Sequence, residues 1–118
     1  MGITYIKARV INPAKPAKTS LFKFLVDSGA VYTLIPEADL AGLGIKPSSE
    51  REFILANGEV VVRPVGNAFF EYQGITGAAP VVFGEGDVYL LGATTLEAWG
   101  VILDPLRREL KPLPMSLM

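Results

Sequence analysis

Residues 24–36 read FLVDSGAVYTLIP, an apolar run interrupted by one carboxylic acid, Asp27, set against a Ser28-Gly29 turn. Phe24, Leu25 and Val26 have the aromatic and branched character of a strand entering a core, and Ser-Gly then turns the chain sharply. Asp27 is therefore expected at the end of a buried strand, where an anion is costly unless hydrogen bonds or another charge compensate it. Two roles meet that condition. Asp27 either accepts backbone N–H bonds in an Asx-type turn, with Gly29 supplying a permissive backbone, or acts as a catalytic acid or base, since carboxylates in unusual surroundings cluster where protons are transferred.

The rest of the chain narrows the chemistry. Its 118 residues suffice for a single domain spanning 1–118 and are too few for two. With 50% apolar and 19% charged residues it is expected to be globular, and no apolar run approaches the roughly 18 residues that a membrane span needs. The formal net charge of -1 is spread without blocks of one sign, so neither nucleic acid nor a membrane surface is expected as a partner. The opening MGITYIKARV lacks a basic end followed by an apolar stretch, and there are no cysteines, so the cytoplasm is the expected location. The absence of both His and Cys excludes a Ser-His-Asp triad, a Cys-His pair and the usual zinc ligands. No metal or other cofactor is expected, and catalysis falls to carboxylates, Lys, Tyr, Ser or Thr. Ser20 and Lys23 spell Ser-x-x-Lys, but on a strand their odd separation sends them to opposite faces.

Short extended runs bounded by Gly and Pro predict a mainly β fold. PEADLAGLG, with Pro36 at its start and acids in the first turn, predicts a brief helix. TTLEAWG predicts a second, capped by Thr, with Leu96 and Trp99 facing the core and Gly100 ending it. In LANGEV, the Asn57-Gly58 pair between two strand-like runs predicts a projecting hairpin with a type I′ turn.

Hydrolysis of a peptide bond by water requires one group to take a proton and another to supply one. Asp39, Asp87 and Asp104 fall in an expected helix, a GEGD turn and a strand end, none in a setting like that of Asp27. The expected partner is Asp27 of a second copy of the chain. Across a two-fold axis the carboxyls would meet about 3 Å apart, cannot both ionise, and would share one proton.

FLVDSGAVYTLIP resembles the active-site segment of aspartic proteases, an apolar run, Asp-Thr/Ser-Gly-Ala/Ser, then apolar residues. The chain's length is similar to that of the single-lobe, retroviral-type (retropepsin-like) branch, nearest its microbial members. YLLGATTLEAWGVILD resembles that branch's second hallmark, with Leu90, Leu91 and Gly92 falling 63 to 65 residues after Asp27. FILANGEVVVRPVG occupies the position of the family's substrate-covering flap.

This resemblance covers residues 4–112 and implies a closed acid-protease β-barrel with one or two short helices, a flap hairpin and a two-fold homodimer. It implies that Asp27 of each copy is the catalytic acid, that Ser28 braces the two active-site loops, that Gly29 admits the substrate backbone, and that Ala30 lines a subsite wall. Ala56, Asn57, Gly58 and Glu59 would form the flap over the substrate, and Leu90, Leu91 and Gly92 would pack beneath the active-site loop. Viral members carry an Asp after the motif Ala and an Arg after the helix-leading Gly; here these positions are Val31 and Ala93, so that ion pair is absent. The tail ELKPLPMSLM has two prolines, which remove ladder donors from any terminal intersubunit sheet. The implied activity is that of an aspartic endopeptidase acting on extended peptide or protein substrates with apolar side chains beside the cut. The competing expectation is a dimeric binding or assembly module on the same scaffold with little or no hydrolysis, since fold does not fix function.

Overall fold

The computed structural model describes residues 3–114 and 117. Alternation of apolar residues pairs the first two runs: β1 (Tyr5–Ile11) buries Ile6, Ala8 and Val10, and β2 (Thr19–Val26) returns antiparallel with Phe24 and Val26 buried. β3 (Thr33–Pro36) leads directly into helix α1 (Glu37–Gly42), where Pro36 is the N-cap residue, Glu37 and Asp39 lie in the first turn and Leu40 is buried. β4 (Ser49–Ile54), β5 (Val60–Tyr72) and β6 (Ile75–Gly84) form two successive antiparallel hairpins. A two-residue strand β7 (Leu90–Leu91) enters α2 (Ala93–Trp99), and β8 (Val101–Asp104) pairs with β9 (Glu109–Pro112).

The expected closed β-barrel is not what these strands build. They form a seven-stranded sheet in the order β1-β2-β7-β3-β6-β5-β4, with β8-β9 as a separate two-stranded ladder. β7 is too short to make a continuous wall: it meets β2 over two residues and β3 only at Leu34↔Leu90, because Gly92 turns the chain at once into α2. β4 ends the sheet with β5 as its one partner. The long strand β5 holds the arrangement together. It pairs with β4 over residues 60–65 and with β6 over 65–72, and it touches β1 at Phe69, Phe70 and Glu71, a three-residue contact that folds the sheet over the core.

The second helix starts one residue before the expected Thr cap. Gly92 is its N-cap residue, with no side-chain cap, and Gly100 ends it in the left-handed region at φ 69°. Trp99 is buried as its spacing from Leu96 suggests; its Nε1 donates to the Phe70 carbonyl at 2.8 Å and its ring stacks on Tyr72 at 5.4 Å. Gly77 in β6 lets the helix lie close, since a Cβ there would come within 2.8 Å of the Ala98 Cβ.

The hairpin at Asn57-Gly58 exists, with Ile54 paired to Val60, but its turn is not type I′. Only Gly58 has positive φ, 87°; Gly58 N–H donates to the Leu55 carbonyl at 2.9 Å and Leu55 N–H to the Glu59 carbonyl at 2.8 Å, a wider loop ending on a left-handed glycine. The two-residue turn with both residues at positive φ lies instead at Gln73 (48°) and Gly74 (82°), between β5 and β6. β9 had no sequence signal beyond Leu110, and residues 115, 116 and 118 of the tail, like residues 1 and 2 of the expected single domain, lie outside the described residues.

Tyr89, just before β7, ties α1 to the sheet. Its ring stacks on Phe22 at 5.2 Å and meets Phe24 edge-on at 6.2 Å, while its hydroxyl donates to Asp39 Oδ2. That hydrogen bond, then burial, then the charges of Asp39 and Asp87 push the phenol up to about 12 from 10.0. A raised phenol pKa favours the protonated form in the folded state, so this stabilisation is complete below pH about 10 and is lost as pH rises through about 12. Tyr89→Phe is expected to cost about 1 kcal/mol in urea unfolding at neutral pH, with the difference from the wild type narrowing as unfolding is repeated between pH about 10 and 12.

Candidate active site

Asp27 follows the last residue of β2, and its loop is fixed from three sides. Val26 N–H donates to the Thr4 carbonyl at 2.9 Å and Asp27 N–H to the Leu91 carbonyl at 3.0 Å, so the residue preceding β1 and the end of β7 both anchor the strand end. The loop closes on itself through Ala30 N–H to the Asp27 carbonyl at 3.1 Å and Gly29 N–H to Asp27 Oδ1 at 3.0 Å. The Asx-type turn is thus present, and it occupies one carboxylate oxygen; Oδ2 accepts no hydrogen bond among the described residues.

The third anchor is the start of α2. Ala93 N–H donates to the Ala30 carbonyl at 2.7 Å and Thr94 N–H to the Val31 carbonyl at 2.9 Å. Gly92 N–H donates to Thr33 Oγ1 at 3.0 Å, and that oxygen lies 2.6 Å from Thr95 Oγ1 in a fully buried hydroxyl pair. The approach is so close that a Cβ on Gly92 would sit 2.5 Å from the carbonyl carbon and oxygen of Tyr32. Leu91 is buried beneath the loop and Leu90 is half-buried at its edge. Val31 and Ala93, which form no ion pair, join these links through the Val31 carbonyl and the Ala93 N–H.

Asp27 itself is exposed in the single chain, as are Ser28 and Gly29, while Ala30 is half-buried. The expectation of a buried charge fails because Asp27 lies one residue past Val26, the last buried position, and projects into a cleft rather than the core. That cleft, about 1100 Å³, lies between the Asp27 loop and the β4-β5 hairpin. Asp27, Gly29, Ala30, Leu90 and Ala56 line it; Asn57, Gly58 and Glu59 are exposed at the hairpin end and do not, nor do Ser28, Leu91 and Gly92.

Several lining residues had gone unnoticed in the sequence. Tyr32 joins the loop to the hairpin, meeting Phe53 edge-on at 5.9 Å and accepting a hydrogen bond from Arg51 Nη1 at 2.7 Å. Alternation could have shown Arg51 and Phe53 on one strand face, but nothing local names Tyr32 as their partner. Thr33 and Thr95, which set the loop, read only as ordinary strand and helix residues. Acids in the cleft other than Asp27 are Glu52 and Glu85; Asp39 is engaged by Tyr89, and Asp104 by Lys111 and the backbone N–H of Leu106 and Arg107. No cluster of metal-ligating side chains occurs among the described residues. Ser20 and Lys23 do not converge: Ser20 borders a shallow groove beside Asp39, while the Lys23 ammonium lies 4.8 Å from the centre of the Tyr5 ring.

An Asp-Ser-Gly loop braced by a helix start and faced by a hairpin defines the aspartic protease class of site. A model of the aspartyl protease family matches residues 15–95, and the chain belongs to that family. Among solved structures, the protease of simian foamy virus (mac) superposes with a TM-score of 0.57 at 23% identity, over 80% of this chain and 92% of that one. The foamy viral protease-reverse transcriptase in complex with an RNA/DNA hybrid gives 0.60 at 17% identity, over 98% of this chain, which spans only 13% of that longer polypeptide. The fold is therefore that of retroviral proteases. No curated protein sequence matches the chain.

Thr33→Val keeps the shape of the side chain but leaves the Gly92 N–H and the Thr95 hydroxyl without their buried partner. It is expected to lower unfolding free energy by about 2 kcal/mol or more, read from the denaturant midpoint, whereas Thr33→Ser should retain most of the stability.

Proposed function

We propose that the protein is an aspartic endopeptidase that works as a homodimer. The observation carrying this is that Asp27 stands exposed in a large, mainly apolar cleft that holds no second aspartate. A two-fold partner would bring its own Asp27 alongside, and water between the two carboxyls would attack the scissile carbonyl. The ionised carboxyl takes the water proton; the protonated one gives its proton to the carbonyl oxygen, and the leaving nitrogen is protonated as the intermediate collapses. Ser28, exposed beside Asp27, would brace the two loops across the axis, and Gly29 would admit the substrate backbone. The hairpin from Ala56 to Glu59 would cover an extended peptide, and the apolar walls at Ala30, Leu34, Phe53 and Val82 suit bulky apolar side chains beside the cut.

The test is cleavage of a mixed peptide library by wild type and Asp27→Asn across pH, with and without a statine-type inhibitor. Inhibitor-sensitive cleavage is expected on the acid side of neutrality, with a bell-shaped profile reporting two ionisations of the pair, and Asp27→Asn should reduce it at least about a hundredfold. Equal cleavage by both proteins, or none by the wild type in any condition, rules the activity out.

Dimerisation is read separately by sedimentation. A dimer at micromolar concentration, or one induced by a substrate analogue, is expected; a monomer under both conditions removes the shared-proton mechanism.

A further inference from the structure

The hairpin wall of the cleft carries an unfavourable charge arrangement. Arg51 and Arg63 are directly opposite each other across the β4-β5 ladder, and both line the cleft. Like charges in directly opposed cross-strand positions destabilise a sheet. Arg63 is relieved by Glu85, whose Oε1 lies 3.3 Å from its Nη2. Arg51 is not: it donates to the neutral Tyr32 hydroxyl, its guanidinium carbon lies 5.6 Å from the Tyr32 ring centre, and no carboxylate pairs with it among the described residues. Glu52, its neighbour on the strand, also lines the cleft but forms no ion pair with it among the described residues. A phenol and a ring face orient a guanidinium without neutralising it, and most of its five N–H donors remain available.

We infer that Arg51, oriented by Tyr32 and set against Arg63, selects substrates carrying a carboxylate, so that the cleft prefers acidic peptides over their neutral counterparts. The inference rests on the cleft being a peptide site as proposed above. A carboxylate fits because the planar guanidinium fork can hold both its oxygens, and because it would relieve the Arg51/Arg63 repulsion on binding. Arg51 is here a specificity-determining residue, acting on affinity rather than on the attacking water.

The experiment reads binding instead of cleavage. Fluorescein-labelled peptides identical except for Glu or Gln, each with an amidated or a free C-terminus, are titrated by anisotropy against the Asp27→Asn protein. The Glu peptide is expected to bind about fivefold more tightly than the Gln peptide, and the ratio should shrink as ionic strength rises. Adding Arg51→Gln should bring the ratio to about one, while Arg51→Lys should keep part of it. Preference that follows the free C-terminus rather than the side chain assigns the same site to terminal carboxylates. Equal affinity for all four peptides, a preference unchanged by Arg51→Gln, or no binding of any peptide overturns the inference. Failure of the wild type to cleave would instead remove the protease activity and leave an acid-selective binding result standing.

Discussion

The site depends on the contact between the start of α2 and the loop after Asp27. Four donor–acceptor links converge there: Gly92, Ala93 and Thr94 each give a backbone N–H to the loop or to Thr33, and the Thr33 and Thr95 hydroxyls pair behind them. The first N–H groups of a helix have no partner within it, so a loop with outward carbonyls is their natural complement. Gly92 has no Cβ, which lets the two backbones meet at this distance. Because Asp27 N–H is held by Leu91, the same short segment that builds the helix start also fixes the Asp27 loop.

This contact also explains the interruption in the sheet. β7 lasts only Leu90 and Leu91 because its chain must leave the sheet at Gly92 to cap the loop. A longer β7 would complete a continuous wall between β2 and β3 but would carry Ala93 and Thr94 away from the carbonyls of Ala30 and Val31. Ladder hydrogen bonds are thus exchanged for hydrogen bonds that position the loop, and β5, through its pairings with β4, β6 and β1, holds the sheet together across the gap.

Much of this was legible in sequence, for identifiable reasons. Strong branched and aromatic runs announce β1 to β6, and Pro36 and Gly100 mark helix ends by backbone constraints that act locally. Asp27 and the Asn57-Gly58 hairpin were visible as short motifs. What escaped detection depends on partners far apart in the chain. Exposure of Asp27 is decided by where the loop points relative to the core, and turn type at Asn57 by how the two strands splay. Tyr32 meets Arg51 nineteen residues on, and Thr33 meets Thr95 sixty-two residues on. No periodicity in either segment encodes those meetings.

The exposure of Asp27 changes the energetics inferred from its apolar neighbours. Phe24 and Val26 are buried against the core, but the cost of desolvating the carboxylate is not incurred when the single chain folds. It arises only when something covers the cleft. In the proposed mechanism that cover is a second Asp27 loop and a substrate, and the charge is then compensated by a shared proton instead of a buried base. In that mechanism folding and activation would be separated: α2 holds the loop in place in each chain, while the environment that makes the carboxylate useful would come from assembly. The Tyr32 contact with Phe53 and Arg51 fits the same division, since it already ties the hairpin to the loop within one chain and leaves the mouth of the cleft to be closed from outside.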